Sequence, residues 1–584
     1  MVRKAIISSL LCYALLAQQQ QVTDPILKAM QAEMARSKTL QLMGLQPYFI
    51  EYSAEDQEQT VVSATLGGIT NARQVRNRMP FVTVRVGSYE MDQTNQIYSN
   101  IYSGSRYDND FLPLDENIDL MRQNFWLATD RAYKSAVESM SAKQQILKSI
   151  NVTEKLLPDN QPMPGVVKIV PGARNKVDFD AWKARTSKLS AVFGDYPQVL
   201  ASAAEFEALS SISYHLNTEG TMMRNPDYLT TMRIRAVGQA ADGSVVRDAA
   251  AFLSFEDTKM APEAAMQAAA KQVGENIKAL VDAPVGESYS GPVLFEPMAA
   301  AQLFGQMLGD NLRNPRRPLS EPGRNVPFQP SELDGKVGSR ILPDWFDVTD
   351  DPTLATHQGH ALMGHYLIDT EAVPPKAVKL VEKGVLKEFL RTRQPIKGFT
   401  GSTGHARLAG NFGHRSAAIA NLFVTASAQT KPLADLKKEL IEMCKQRSKP
   451  YGILVRKMDY PSTASVGELQ AMFQSMAQSG STTRPVAPLT LVYRVYTDGR
   501  EELIRNVRLK NVSTRSLRDI LSATTEVAMY DYVNNNAPFA LMGIPGYLAS
   551  TTVAAPGVLF DELEIDRIRD DTAKPPVVPP PALR

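Results

Sequence analysis

The chain has 584 residues, 43% hydrophobic and 22% charged, the composition of an ordinary folded protein long enough for roughly two to four domains. Lys+Arg number 64 against Asp+Glu 62, a net charge of +2 with no dense basic stretch, which excludes charge-driven nucleic-acid binding. No apolar run reaches the roughly 20 residues that a membrane-spanning helix needs.

Arg3 and Lys4 precede an apolar run from Ala5 to Ala17, after which Gln18 to Gln21 turn abruptly polar. This pattern predicts a secretory signal peptide over residues 1–17 and a periplasmic or extracellular mature protein. Leu11 before Cys12 does not suit a lipoprotein signal. Once Cys12 leaves, Cys444 is the single cysteine, and no internal disulfide framework is possible.

Asp24-Pro25 offers an N-cap and a proline at the first helical position, and Ile26, Leu27, Met30 and Met34 follow at helical spacing, which predicts a first helix. The stretches PYFIEYSA, TVVSATLGGI and MPFVTVRVGSYEM alternate as strands of an antiparallel sheet. Helices are expected at Ile118–Met140 and Pro262–Val281, with strands between them at HLNTEG and at YLTTMRIRAVGQAADGSVV, which turns at Asp242-Gly243. The alanine-rich helix ends near Asp282–Ser290, a domain boundary, and strand patterns predominate from Pro292. In KLVEKGVLKEFL two apolar runs flank Lys383-Gly384, a hairpin signal. Residues 311–330 and 468–488 read as loops, the first half of the latter also as a short helix, and AKPPVVPPPALR as an extended polyproline tail. The fold class is therefore α+β: an α/β N-terminal domain over 22–285, a mainly antiparallel β domain over 286–570, and an unfolded tail over 571–584.

Several groups can carry chemistry. His357, His360, His365, His405 and His414 crowd one stretch, and the first three can present imidazoles to a divalent metal, although their spacing fits no standard zinc pattern. Asp350 and Asp351 point to opposite faces if extended, whereas Asp369 and Glu371, two apart, can share one. Gly401-Ser402-Thr403-Gly404 is a small-residue loop able to cradle an anion, without the Gly-Lys-Ser/Thr of a phosphate loop.

The order of Asp350-Asp351-Pro352, YLIDTEAVPPKAVKLVEKGVLKEFL (Tyr366 to Leu390), STGHAR (Ser402 to Arg407) and Asn421-Leu422-Phe423-Val424 resembles the C-terminal half of the TldD/PmbA family, described as modulators of DNA gyrase and as peptidases. Asn217-Thr218-Glu219-Gly220 is similar to the family's Asn-Ser-Glu-Gly signature. The resemblance implies a dimer whose interior cavity receives extended peptide by strand addition. It also implies a zinc helix reading His-Glu-x-x-x-His, and here Ala301, Gln302 and Gln306 occupy those positions. Neutral amides and a methyl group supply neither zinc ligands nor a general base, and the implied late cysteine ligand has no counterpart after Cys444. The departure matches the zinc-less PmbA (TldE) branch. The leading expectation is thus an exported, non-catalytic partner or regulator of a zinc-bearing TldD-like subunit, or a dimer with itself, with no cofactor. The alternatives are an active metallopeptidase with zinc on His357, His360 and His365, and a periplasmic peptide-binding protein.

Overall fold

The structure is a computed structural model and describes residues 23–568 apart from 98–110, 151–155, 325, 327, 329, 410–413, 459–485 and 535–548, together with 576 and 578. The signal peptide, nearly all of the polyproline tail and most of the 468–488 loop lie outside the described residues.

Asp24 caps the first helix, α1 (Pro25–Ser37): its Oδ1 accepts the N–H groups of Ile26 and Leu27 at 3.0 and 3.3 Å. Its Oδ2 accepts Arg224 Nε and the Tyr214 hydroxyl, both at 3.2 Å, which fastens the helix to the sheet beneath. That sheet is built from β1 (Pro47–Thr65), β2 (Gly68–Val86), β3 (Val167–Ile169), β4 (Val199–Asn217), β5 (Met222–Gln239) and β6 (Val245–Ser254), in the order β2-β1-β4-β5, with β3 and β6 both on β5. Three more helices, α2 (Ile118–Ser149), α3 (Phe179–Ala191) and α4 (Glu263–Asp282), join α1 over one face. The alternation of strands decides which face: Ile50, Tyr52, Ala54, Phe206, Ile212, Tyr214, Met232 and Ile234 pack under the helices, so the odd-numbered residues of β1, β4 and β5 face away from them.

The sequence expectation split β1 in two, because Glu55-Asp56-Gln57-Glu58-Gln59 carries no apolar alternation. The strand is continuous for 19 residues, and TVVSATLGGI runs through the turn at Leu66-Gly67 into β2. Asp56 makes up for the missing hydrophobicity by binding Arg76, Arg78 and Arg174 at 3.0, 3.0 and 2.8 Å. Helix α3 was not expected; Asp178 caps it, and Trp182 stacks on Phe206 with centroids 3.9 Å apart.

The second half is one 12-stranded sheet around β22 (Ala549–Arg567). Its other strands are β7 (Tyr289–Phe295), β8 (Phe346–Asp350), β11 (Val378–Glu382), β12 (Val385–Leu386), β15 (Asn421–Ala426), β16 (Thr430–Lys431), β17 (Tyr451–Met458), β18 (Leu489–Tyr496), β19 (Glu501–Ile504), β20 (Val507–Lys510) and β21 (Ile520–Asn534). Two small hairpins stand apart, β9 (Thr356–His357) with β10 (His360–Ala361), and β13 (Ala406–Ala409) with β14 (Arg415–Ala417). Pairing is mostly antiparallel, with parallel exceptions at β15–β22, β16–β21 and β7–β17. The expected Lys383-Gly384 hairpin is present, both residues at positive φ (48° and 73°) as a tight two-residue turn demands. Two further helices pack on this sheet, α5 (Pro297–Met307) and α6 (Leu433–Gln446).

The two halves share surface rather than merely touching. Leu491 of β18 is buried in the same cluster as Met266, Val273 and Ile277 of α4, Lys457 meets Asp248 at 2.5 Å, and Arg505 meets Asp242 at 3.0 Å. Among the described residues no helix is long and apolar enough to cross a membrane.

Removing the Asp24 side chain tests the link between capping and tertiary structure. Asp24→Ala should destabilise by about 1–3 kcal/mol, the sum of a lost cap and a partly buried ion pair. Asp24→Asn, which keeps the cap, should lose less by urea denaturation, and equal losses would show that the ion pair alone matters.

Candidate functional site

The positions assigned to zinc lie on α5, which is sealed inside the second half. Ala299 to Gly305 are all buried among β17, β21 and β22. Apolar surface surrounds most of the helix, and three alanines in succession let the strands close in. Gly557 of β22 shows how tight the fit is, since a Cβ there would stand 2.7 Å from Phe295 O and 3.1 Å from Pro297 Cδ at the helix start. Ala301 has no donor. Gln302 Oε1 accepts the N–H of Met458 at 2.8 Å and Gln306 Oε1 accepts that of Ala487 at 2.7 Å. Both amide oxygens are thus committed to the backbone, on either side of residues 459–485.

The structure disperses the histidines. His357 pairs across its hairpin with His360 and lies against Phe423, with centroids 5.1 Å apart. His360 Nε2 bonds Asp531 at 2.8 Å, which raises its pKa, and His365 Nδ1 donates to Pro352 O at 3.0 Å. Among the described residues no three His, Cys, Asp or Glu side chains come together to hold a metal ion. His414 is buried with neither ring nitrogen partnered, and burial, followed by the charge of Arg85, pushes it down to about 3, so the ring is neutral. His405 joins the fully buried Asp350, Nε2 to Oδ1 at 3.0 Å, while Asp350 Oδ2 accepts the Ala420 N–H. Asp351 points the other way and closes a turn with Thr353. Cys444 is buried in α6, and burial raises its thiol to about 11.

The remaining sequence candidates converge on the junction between the halves. Asp369 and Glu371 are both buried, in a turn rather than a strand. Asp369 accepts three backbone N–H groups, from Glu371, Val373 and Ala406 at 2.8–3.0 Å. Glu371 accepts the Arg393 N–H at 2.6 Å through Oε2, and its Oε1 is unpartnered. Burial raises both carboxyls, and the charge of Glu371 adds to the effect on Asp369. The anion-cradle reading of Gly401–Gly404 is corrected by its own bonds. The N–H groups of Gly401, Thr403 and Gly404 go to Gln161 Oε1, Arg391 O and Ser402 Oγ, so three of the loop's four are committed within the chain.

Sequence reasoning missed the centre of this network, Arg393, which is 2% exposed. Its guanidinium donates to Gln161 O at 2.9 Å and to Glu219 Oε1 at 2.6 Å, and it lies over the Phe49 ring at 4.8 Å. Arg85 lies over the same ring at 4.9 Å. Glu219 also accepts the Tyr89 hydroxyl and the Met163 N–H, while Asn217 Oδ1 accepts the N–H groups of Glu219 and Thr221. The Asn-Thr-Glu-Gly stretch is therefore a turn that presents one carboxylate to Arg393. The signal available in the sequence was that stretch itself, which did not name its partner.

Residues 288–566 match the family model of the PmbA/TldA metallopeptidase C-terminal domain. The fold is similar to that of a protein described as a modulator of a DNA gyrase from Thermotoga maritima, at 13% identity over 92% of this chain and 99% of that one, TM-score 0.55. It is also similar to TldE from Thermococcus kodakarensis (15%, 92% and 100%, 0.55) and to another described modulator of DNA gyrase from Bacteroides thetaiotaomicron (10%, 94% and 100%, 0.54). At these identities the likeness is one of fold. No curated protein sequence matches the chain.

The buried carboxyl pair makes a pH prediction. Groups raised by folding hold their protons more tightly in the folded chain, so this contribution to stability is full below the ordinary carboxylate range near pH 4 and is lost as pH rises through the raised values. Glu371→Gln keeps an acceptor for the Arg393 N–H and cannot ionise. Its urea midpoints should therefore decline less steeply than wild type between about pH 4.5 and 8; an unchanged slope would place the titration elsewhere.

Proposed function

We propose, for a chain that belongs to the TldD/PmbA family through its residues 288–566, that it is an exported, non-catalytic partner or regulator of a metallopeptidase acting on extended peptides. One observation carries the reading. The two glutamines at the assigned zinc positions use their amide oxygens to hold Met458 and Ala487, and Ala301 offers nothing in their place. The residues present do not fit zinc, which needs ligands with free lone pairs and a water it can acidify to a pKa of about 7. Each glutamine bond contributes about 1 kcal/mol, and cutting it leaves a backbone N–H unpaired at a cost of about 1–3 kcal/mol. The amides therefore tie α5 to the end of β17 and to the chain just before β18.

Export rests on Arg3-Lys4 and the Ala5–Ala17 run. The partner is a zinc-bearing TldD-like subunit or a second copy, and light scattering with pull-down from the native host distinguishes the two. The mature chain should begin near Gln18 and be recovered outside the cytoplasm; Edman sequencing that finds Met1 on the cytoplasmic protein sinks this part.

The purified chain should hold no stoichiometric zinc by mass spectrometry and cleave no peptide unaided. The triple change Ala301→His, Gln302→Glu, Gln306→His should not create activity, because no thiolate ligand follows. One zinc per chain, lost when His357, His360 and His365 become Ala, would overturn the reading.

A further inference from the structure

The face of the first sheet turned away from the helices is polar, and strand register orders its side chains into rows. One row runs Phe81–Ser53–His215–Met223 across β2, β1, β4 and β5. The next runs Met79–Glu55–Ser213–Asn225, and the third Asn77–Gln57–Ser211–Asp227. Side chains opposite one another in such rows lie about 4.5–5.5 Å apart, and diagonal neighbours about 7–8 Å. Glu55, Gln57, Asn77 and Asp227 thus share one patch, close enough that the charge of Asp227 acts on Glu55.

The patch is short of donors. Gln57 is 2% exposed, yet its Oε1 has no partner, and neither has Asn77 Oδ1. His215 Nδ1 beside them is also unpartnered. Glu55 has no hydrogen-bonding cause among those acting on it, and Asp227 has only the Tyr228 N–H. Crowding by the surrounding chain raises both carboxyls, although Glu55 is only half-buried and Asp227 is exposed at the rim. Two cations face the patch from the β13–β14 hairpin, and neither closes an ion pair with it. Arg415 acts on Glu55 and His215 through its charge alone, and Arg407 donates to Ile419 O and Ser550 O at 2.8 and 2.7 Å. His215 adds no charge, because burial and then Arg415 lower it to about 4.

Two carboxylates that form no ion pair, beside two unpartnered amide oxygens, match a ligand that is itself a positively charged donor. An anion would be repelled by both carboxylates, and an apolar group would leave the buried Gln57 oxygen unsatisfied. We propose that the rows Met79–Glu55–Ser213–Asn225 and Asn77–Gln57–Ser211–Asp227 form a subsite for a primary ammonium group, carried by a peptide N-terminus or a lysine side chain. The three N–H bonds of an ammonium fit Glu55, Asp227 and Gln57 Oε1, while Asn77, three strands from Asp227 in the same row, borders the subsite on the far side of Gln57. The source of the ammonium rests on the peptide-binding reading above; the subsite itself does not.

The test is calorimetry on the full mature chain with four probes: tetra-alanine amide with a free N-terminus, its N-acetyl form, an N-acetyl peptide amide with one central lysine, and n-butylammonium. Glu55→Gln and Asp227→Asn remove one charge each at nearly constant shape, and the exposed Glu116→Gln is the control. Loss of one charge-assisted bond predicts about a tenfold or greater loss of affinity in each site variant and none in the control. Tighter binding of the free-amine peptide than of its acetyl form assigns the N-terminus. Tighter binding of the lysine peptide than of the acetyl-alanine form assigns the side chain. Equal binding of all three peptides removes the subsite and leaves the peptide reading standing. If no peptide binds but n-butylammonium binds wild type and not the variants, the subsite stands and the peptide reading falls; if nothing binds, both fall. Should a variant melt early by circular dichroism, the amine-against-acetyl comparison on wild type decides alone.

Discussion

The ion pair between Arg393 and Glu219 holds the two halves of this molecule in register. A guanidinium that is 2% exposed cannot be left without acceptors; breaking such a buried pair typically costs about 3–5 kcal/mol because the remaining charge stays buried. Everything near it is arranged to prevent that. The Asn217–Gly220 turn aims Glu219, Phe49 supplies a ring face, Gln161 supplies a carbonyl, and Glu371 holds the backbone N–H of Arg393 itself. Glu219 belongs to the first half and Arg393 to the second, so the pair ties one to the other.

The same demand for partners explains α5. Ala301, Gln302 and Gln306 lie on a helix packed into the core, where each position must be filled by something the interior tolerates. Alanine fills one with a methyl group. Glutamine fills the other two with amides, which survive burial because each finds a backbone N–H at 2.7–2.8 Å. The helix thereby ties the end of β17 to the chain just before β18 and stands as a wall of the core.

Much of the fold was legible where local chemistry decides the outcome. Asp24-Pro25 started a helix, Lys383-Gly384 and Asp242-Gly243 turned hairpins, and the apolar alternation of β5 and β6 held. What was not legible depended on partners far away in sequence. Residues 55–59 are strand because Asp56 finds three arginines on one face and Glu55 and Gln57 face a polar recess on the other, so no apolar period marks them. Helix α3 carries few apolar residues, and its Trp182 earns its place only by stacking on Phe206. The site was legible in parts: Asp369 and Glu371, Asn217–Gly220 and Gly401–Gly404 each stood out, but spacing along the chain gave no hint that they meet at Arg393. The histidine stretch misled for the opposite reason: the β9–β10 hairpin sets His357 opposite His360, but His360 is bound to Asp531 and His365 to the Pro352 carbonyl, so the three do not converge on one point.

The arginines around the junction connect its stability to its polar face. Arg393, Arg407 and Arg316 each spend N–H donors on backbone carbonyls, of Gln161, of Ile419 and Ser550, and of Pro158 and Leu157. An arginine used in this way is a structural tie: its planar fork fits two carbonyls at once and its charge cannot be titrated away. The consequence falls on the carboxylates. With these guanidiniums committed to the chain, Glu55, Asp227 and Glu371 are left with fewer donors than oxygens, and burial raises the pKa of all three. For Glu371, deep in the junction, that deficit is a cost to the folded state. For Glu55 and Asp227, on a face that solvent reaches at Asp227, the same deficit is an open valence, and a donor from outside the chain can satisfy it.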